Sequence, residues 1–167
     1  MENLDVYKAY SGIQGFDDNS NKVGVKIYRI DDSVVIPEYQ SKEAAGFDFA
    51  SFEDYTIKPG ETKLVRSGLI LDIPFGYEIQ MRPRGGVSFK TGLRVANSPG
   101  SIDSDFVGEI MIIMTNTGDI NEIINKGDRV AQGMIKPVLQ AIFTEVKTKD
   151  ELKETERGGG MLGSTGK

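Results

Sequence analysis

Short apolar runs separated by clusters of Gly, Pro, Asp and Asn recur along the whole chain. The clearest is Tyr77-Glu78-Ile79-Gln80-Met81-Arg82, whose period of two predicts a strand with Tyr77, Ile79 and Met81 facing in and Glu78, Gln80 and Arg82 facing out. Val23, Val25 and Ile27 alternate with Gly24 and Lys26 and predict another. Ala44 to Ser51 alternates small or aromatic residues with Gly and Asp, and sets Asp48 between Phe47 and Phe49. Leu64-Val65 and Leu69 to Ile73 read as further strands, and Ile110 to Met114 is long enough to form one buried strand. Thr56 to Glu61 and Pro74-Phe75-Gly76 place Pro and Gly at turn positions. The pattern is that of an all-β domain with many turns.

One turn-rich stretch, Gly100 to Gly108, holds the carboxylate Asp103 just before the Ile110 run. Its bracketing glycines predict a hairpin with Asp103 and Phe106 near the tip. An ordinary surface turn carries Asp and Ser for local reasons too, so the stretch takes its meaning from its neighbours. After the Tyr77 strand comes Arg82-Pro83-Arg84-Gly85-Gly86-Val87. Adjacent glycines beside an Arg let backbone N–H groups approach an anion closely, and a short helix beginning near Val87 would add its N-terminal field. Lys126-Gly127-Asp128-Arg129-Val130-Ala131-Gln132 is a turn leading into a strand. In a regular strand Arg129 and Gln132, an odd number of positions apart, face opposite ways.

Composition narrows the chemistry. The 167 residues suit one domain with a substantial core, and there is neither Cys nor His. The usual structural zinc site, the Cys nucleophile and the Ser-His pair are therefore excluded, and an acid-base catalyst falls to Asp or Glu. The missing disulfides suit a reducing compartment. No segment approaches the ~18 apolar residues of a membrane span, and no signal-peptide core stands at the N-terminus, so a membrane partner is not expected. A net charge of −5 argues against broad nucleic-acid binding, leaving anions to local clusters of Arg, Lys and N–H groups.

The chain divides into an N-terminal extension over 1–22, where Leu4, Val6 and Tyr7 suit a short strand, a β domain over 23–156, and a Gly-rich tail over 157–167. The tail reads either as a disordered end or as a phosphate-wrapping lid anchored by Arg157, with Ser164 and Thr165 as donors. Gly166-Lys167 lacks the spacing and context of a P-loop.

Five segments in this order resemble the homotrimeric dUTPase family: Ala45-Gly46-Phe47-Asp48, Arg82 to Gly86, Asn97 to Gly108, Gly127 to Gln132, and the tail from Arg157 to Gly166. The resemblance covers about residues 23 to 167. It implies a jelly-roll-like β-sandwich or distorted barrel with at most one short helix. It also implies a homotrimer whose sites are shared between three subunits, a cytoplasmic setting (a host's, if the gene is viral), and Mg²⁺-dependent hydrolysis of dUTP to dUMP and pyrophosphate. By position, Asp103 is the carboxylate that touches the deoxyribose 3′-OH and orients the attacking water. Phe106 stands where the family has Tyr, against the sugar. Asn97 and the backbone from Gly100 to Ile102 read uracil. Asp48 reaches Mg²⁺ through water. Arg84, Gly85, Gly86, Gln132 and the tail's Arg157, Gly163, Ser164 and Thr165 handle phosphates, while Arg129 is structural.

Three positions depart from the family pattern: Gly85 for Ser, Phe106 for Tyr, and Leu162 for the tail Phe that stacks on uracil. Stacking is worth roughly 1–3 kcal/mol per base, of which Leu keeps a part. Two other readings stand beside this one. A dCTP deaminase of the same fold needs a Glu where this chain has Ile113, and a non-catalytic β-sandwich binding module needs no site at all.

Overall fold

The alternation around Ile79 carries through to the structure. In the computed structural model, which describes residues 22–160, Tyr77–Pro83 is a strand with Tyr77, Ile79 and Met81 buried and the residues between them half-buried on the other face. It is the fifth of ten strands among the described residues. Before it come β1 (Lys26–Arg29), β2 (Phe47–Ala50), β3 (Tyr55–Ile57) and β4 (Thr62–Asp72). After β5 (Tyr77–Pro83) come a short helix α1 (Gly85–Lys90), β6 (Leu93–Val95), β7 (Gly100–Ile102), β8 (Glu109–Asn116), β9 (Glu122–Ile124) and β10 (Arg129–Pro137). A 3-10 turn follows at Lys149–Glu151. The all-β expectation with one short helix holds. The helix begins at Gly85, two residues before Val87, with extended Arg84 as its N-cap. The suggested strand at Leu4 to Tyr7 lies outside the described residues.

Two four-stranded antiparallel sheets enclose the core. Their orders are β1-β4-β8-β6 and β2-β10-β5-β7, with β3-β9 as a small third sheet. Phe49, Val65, Ile79, Ile112 and Ala131, all 0 % exposed, belong to one cluster fed by both large sheets. The two expected runs Leu64-Val65 and Leu69 to Ile73 are one strand, β4, broken by a bulge between Arg66 and Ile70. Gly68 sits in that bulge at φ +71, a conformation that excludes most side chains.

The Ile110 run is a strand but is buried on one face only. Ile110, Ile112 and Met114 point into the core, while Met111 is 43 % exposed on the face that carries exposed Leu64 of β4, whose register partner is Ile113. A continuous apolar run does not reveal its two faces, and here the second is an apolar surface. The hairpin expected at Gly100 to Gly108 is also different. β7 pairs with β5 in one sheet and β8 pairs with β4 and β6 in the other, so the turn between them crosses from sheet to sheet. A local turn signal cannot tell a hairpin from a crossover, since long-range partners decide it.

Asn116 closes the end of β8. It is 0 % exposed, its Nδ2 donates to the carbonyls of Ile57 (2.9 Å) and Ile120 (2.7 Å), and its Oδ1 accepts from the N–H of Gly118 (2.9 Å). Asn116→Ala leaves these buried groups without partners, and each such group costs about 1–3 kcal/mol. The variant is expected to lose about 3 kcal/mol, read as a lowered urea midpoint by circular dichroism. A midpoint equal to that of the parent chain contradicts this account.

Candidate active site

Strand pairing brings the sequence-singled residues together in two clusters. The first lies at the C-terminal end of β5. Asp48 of β2 is the direct register partner of Gln132 on β10, which is the partner of Arg82 on β5. Arg84 follows β5 immediately, and its Nε donates to Asp48 Oδ1 at 2.8 Å. Arg129 pairs with the other oxygen, Oδ2, at 3.3 Å, and the Arg129 carbonyl accepts from Arg84 Nη1 at 2.9 Å. Gln132 Nε2 donates to the Pro83 carbonyl at 2.8 Å and so holds the chain just before Arg84. Gly46 lets this corner close: a Cβ there would stand 2.9 Å from Gln132 Oε1 and 3.0 Å from the Gly133 carbonyl.

Arg129 and Gln132 therefore do not face opposite ways. A register shift between Arg129 and Ala131 inserts a residue, and both side chains arrive beside β2 and β5. The bulge cancels the odd spacing. Asp48, only 11 % exposed at its side chain, is thus neither a solvent-facing strand residue nor a free carboxylate: two arginines hold it. The first in-helix hydrogen bond of α1 runs from the Ser88 N–H to the Arg84 carbonyl. The Gly85, Gly86 and Val87 N–H groups before it have no in-helix acceptor. Arg84 and these three N–H groups form a corner whose chemistry suits an anion.

The second cluster runs along β7 of the same sheet, from Gly100 level with Met81 toward Asp103 at the end away from Arg84. Gly100 is buried, and a Cβ on it would stand 2.6 Å from Asn97 Nδ2, so the Asn97 amide lies directly over its backbone. Ser101 and Ile102 continue β7 against Gln80 and Ile79. Beyond them, the Phe106 N–H donates to the Asp103 carbonyl at 3.2 Å and shapes the turn. Among the described residues the Asp103 carboxylate makes no hydrogen bond or ion pair. Phe106 is half-exposed, and its ring rests on Gly108, where a Cβ would meet Phe106 Cζ at 2.6 Å. Asp103, Phe106, Ile102 and Glu109 line a shallow hollow of about 520 Å³.

Asp103 and Arg84 are far apart within one chain. Ile102 opposes Ile79, so Asp103 is level with Glu78, six residues before Arg84. At about 3.3 Å per residue that is roughly 20 Å. In the tail, Arg157 lies in a turn where its Nε donates to the Gly160 carbonyl at 3.0 Å. Leu162, Gly163, Ser164 and Thr165 lie outside the described residues. Sequence reasoning did not reach Arg66 and Glu109, which meet at the base of the Asp103 loop. They stand 43 positions apart, and no local motif joins them.

The chain belongs to the dUTPase family, whose model matches residues 32–166. A deoxyuridine 5′-triphosphate nucleotidohydrolase from Nautilia profundicola is 52 % identical over 143 residues, covering 86 % of this chain and 99 % of the relative. One from Helicobacter hepaticus is 44 % identical, covering 85 % and 88 % respectively. Among solved structures, a variant of the phage 80alpha dUTPase superposes with a TM-score of 0.77 at 24 % identity, over 84 % of this chain and 98 % of that one. The dUTPase of the S. aureus phage phi11, described with a structural Mg(II) ion, gives 0.70 at 24 % identity over 76 % of this chain and 99 % of its own. At that identity these two likenesses speak for the fold alone.

Asp48→Asn removes the charge that gathers Arg84 and Arg129. Hydrogen bonds to charged groups contribute about 1.5–3 kcal/mol, less where solvent reaches the partners. The variant is expected to unfold at lower urea by about 1–2 kcal/mol. It should also show a weaker salt dependence of stability, because it carries one ion-pair cluster fewer. An unchanged salt dependence would remove the pair from that role.

Proposed function

We propose that this chain hydrolyses dUTP to dUMP and pyrophosphate in a homotrimer, at sites that join the Asp103 cluster of one subunit to the Arg84 cluster of another. In a cell this reaction keeps uracil out of DNA and supplies dUMP for dTMP synthesis. The observation that carries the shared site is the separation of roughly 20 Å along β5 between the levels of Asp103 and Arg84, too far for one chain to hold both the sugar and the phosphates. The exposed apolar face of Leu64 and Met111, beside half-buried Ile113, supports a subunit interface there. The domain division follows: residues 23–156 are the body, 1–22 an extension, and 157–167 the tail that closes over a neighbour's site.

The two clusters suit the two halves of the nucleotide. Asn97 and the Gly100 to Ile102 backbone present amide groups to uracil, with Gly100 leaving room for the Asn97 amide. Phe106 packs on the deoxyribose, and its apolar ring offers a ribose 2′-OH no partner. Asp103 touches the 3′-OH and holds the attacking water, whose proton it takes as the water oxygen bonds to the α-phosphorus and pyrophosphate leaves. Its unpaired state among the described residues fits a general base. At the other end Arg84, the Gly85 and Gly86 N–H groups, Gln132 and the tail's Arg157, Gly163, Ser164 and Thr165 bind the phosphates, with Leu162 over the base.

Among the described residues no group of three acidic or other metal-ligating side chains stands together. A lone carboxylate such as Asp48 fits Mg²⁺, which keeps several waters and binds mainly through substrate phosphates. The ion would neutralise phosphate charge. Asp48 would face it through water while holding Arg84 in place. No helix among the described residues is long and apolar enough to cross a membrane, and the acidic chain disfavours nucleic acid. We place the enzyme in the cytoplasm, the host's if the gene is viral. The dCTP deaminase reading is disfavoured by Ile113, which lies on β8 beside Leu64 with no carboxylate at the position. The non-catalytic reading leaves Asp103 unexplained.

Asp103→Asn is expected to keep its assembly and lose roughly 10²–10⁴-fold in pyrophosphate release from dUTP, the usual range for general-base catalysis. Near-parental turnover would take Asp103 out of the role. Truncation after Glu156 is expected to leave a folded trimer with little activity, because the tail's charged contacts to phosphate and its exclusion of water are gone. Refolding the truncated chain with the Asp103→Asn chain should restore activity, since some mixed trimers then hold one intact composite site. Mixed trimers verified by mass spectrometry yet inactive would overturn the shared site.

A further inference from the structure

The loop bearing Asp103 and Phe106 must be held at both ends to act on a nucleotide. At its start, β7 is hydrogen-bonded to β5. At its far end the anchor is a side chain. Glu109, 15 % exposed, accepts from Arg66 Nε at 3.1 Å on each carboxylate oxygen, and Arg66 Nη2 lies 3.0 Å from Oε2. Its Oε1 also accepts the N–H of Gly68 at 3.0 Å, in the bulge of β4. The next residue of each strand repeats the link: the Ser67 hydroxyl donates to the Ile110 carbonyl at 2.6 Å.

Arg66 is itself fixed. Its Nη1 pairs with Glu53 at 2.5 Å, its backbone N–H donates to the Tyr55 hydroxyl at 3.1 Å, and its guanidinium lies 5.3 Å over the Phe52 ring. The hydrogen bond to Glu109 also holds this guanidinium above its ordinary pKa. Glu109 lines the same hollow as Asp103 and Phe106. The Phe106 ring rests on Gly108, the residue that Glu109 anchors. The chain of contact runs from Arg66 to Glu109, through the Gly108 backbone, to the Phe106 ring.

We infer that Glu109, clamped by Arg66 and the β4 bulge, is a positioning residue that sets Phe106 against the sugar and thereby the preference for deoxyribose over ribose. The inference rests on the sugar-face reading of Phe106 proposed above. Glu109 does not take part in the chemistry, since its oxygens are occupied. Its loss frees the Gly108 pivot, lets the ring move and opens space for a 2′-OH.

Pyrophosphate release is measured with dUTP and UTP for the parent chain, E109A, E109Q, R66M and R66K. In E109A and R66M the dUTP-to-UTP ratio of kcat/KM is expected to fall about tenfold, the low end for a poorly fitted group in a pocket. Most of the change should come from a lowered KM for UTP, whose 2′-OH then finds room. E109Q keeps an acceptor for the Gly68 N–H and R66K keeps a cation, so both should recover part of the ratio. A ratio within about twofold of the parent's in folded E109A overturns the proposal; if E109A does not fold, R66M decides by the same criterion. A second readout is independent of turnover. The chain has no Trp, so Phe106→Trp provides a single indole, whose anisotropy should fall when Glu109→Ala is added. An unchanged anisotropy overturns the clamp. A lowered anisotropy with an unchanged ratio overturns the sugar-face role of Phe106, and the proposal with it. A parent chain that hydrolyses neither nucleotide while the anisotropy still falls overturns the dUTP reading and not the clamp.

Discussion

The register of β5 between β7 and β10 is the constraint on which the rest depends. Ile79 and Met81 are locked into the core, so the strand can neither slip nor turn over without exposing them, because a one-residue slip reverses every side chain. That register sets Gly100 opposite Met81, Ile102 opposite Ile79 and Gln132 opposite Arg82. The Asp103 loop and the Arg84 corner are thereby fixed at opposite ends of one strand. In the trimer proposed above, each chain would offer one end to one neighbour and the other end to another.

The two carboxylates differ in what surrounds them more than in chemistry. Asp48 lies under two arginines in a part-buried corner, where a charge is kept by its partners. Asp103 sits on a sheet-crossing turn, exposed and unpaired among the described residues. The first gathers cations and the second is available to a water. The turn stays ordered because each end is tied to a different sheet, by backbone pairing at β7 and by Glu109 on the β4 bulge.

The departures at Gly85 and Phe106 take on physical meaning in the fold. A Cβ at Gly85 would meet nothing within 4 Å and Gly85 has no positive φ, so packing does not demand glycine there. What its backbone retains is an unobstructed N–H approach to an anion. Phe106 lies folded on Gly108, and the family's Tyr would carry its hydroxyl beyond Cζ, the atom nearest that glycine.

Much was settled by the chain alone. Period-two alternation fixed the faces of β5, Gly and Pro marked the turns at Gly60 and Gly76, and the absence of His and Cys left carboxylates as the acid-base groups. These are local properties, carried by neighbouring residues through sterics and burial. Tertiary structure decided what depends on distant partners. It made the Gly100 to Gly108 stretch a sheet crossing and left Met111 on an outer face. It joined two runs into β4 around Gly68, and used a bulge to bring Arg129 and Gln132 to the same corner. Arg66 and Glu109 show the reason most plainly: neither has a signature of its own, and the pair exists only because antiparallel registry places β4 beside β8.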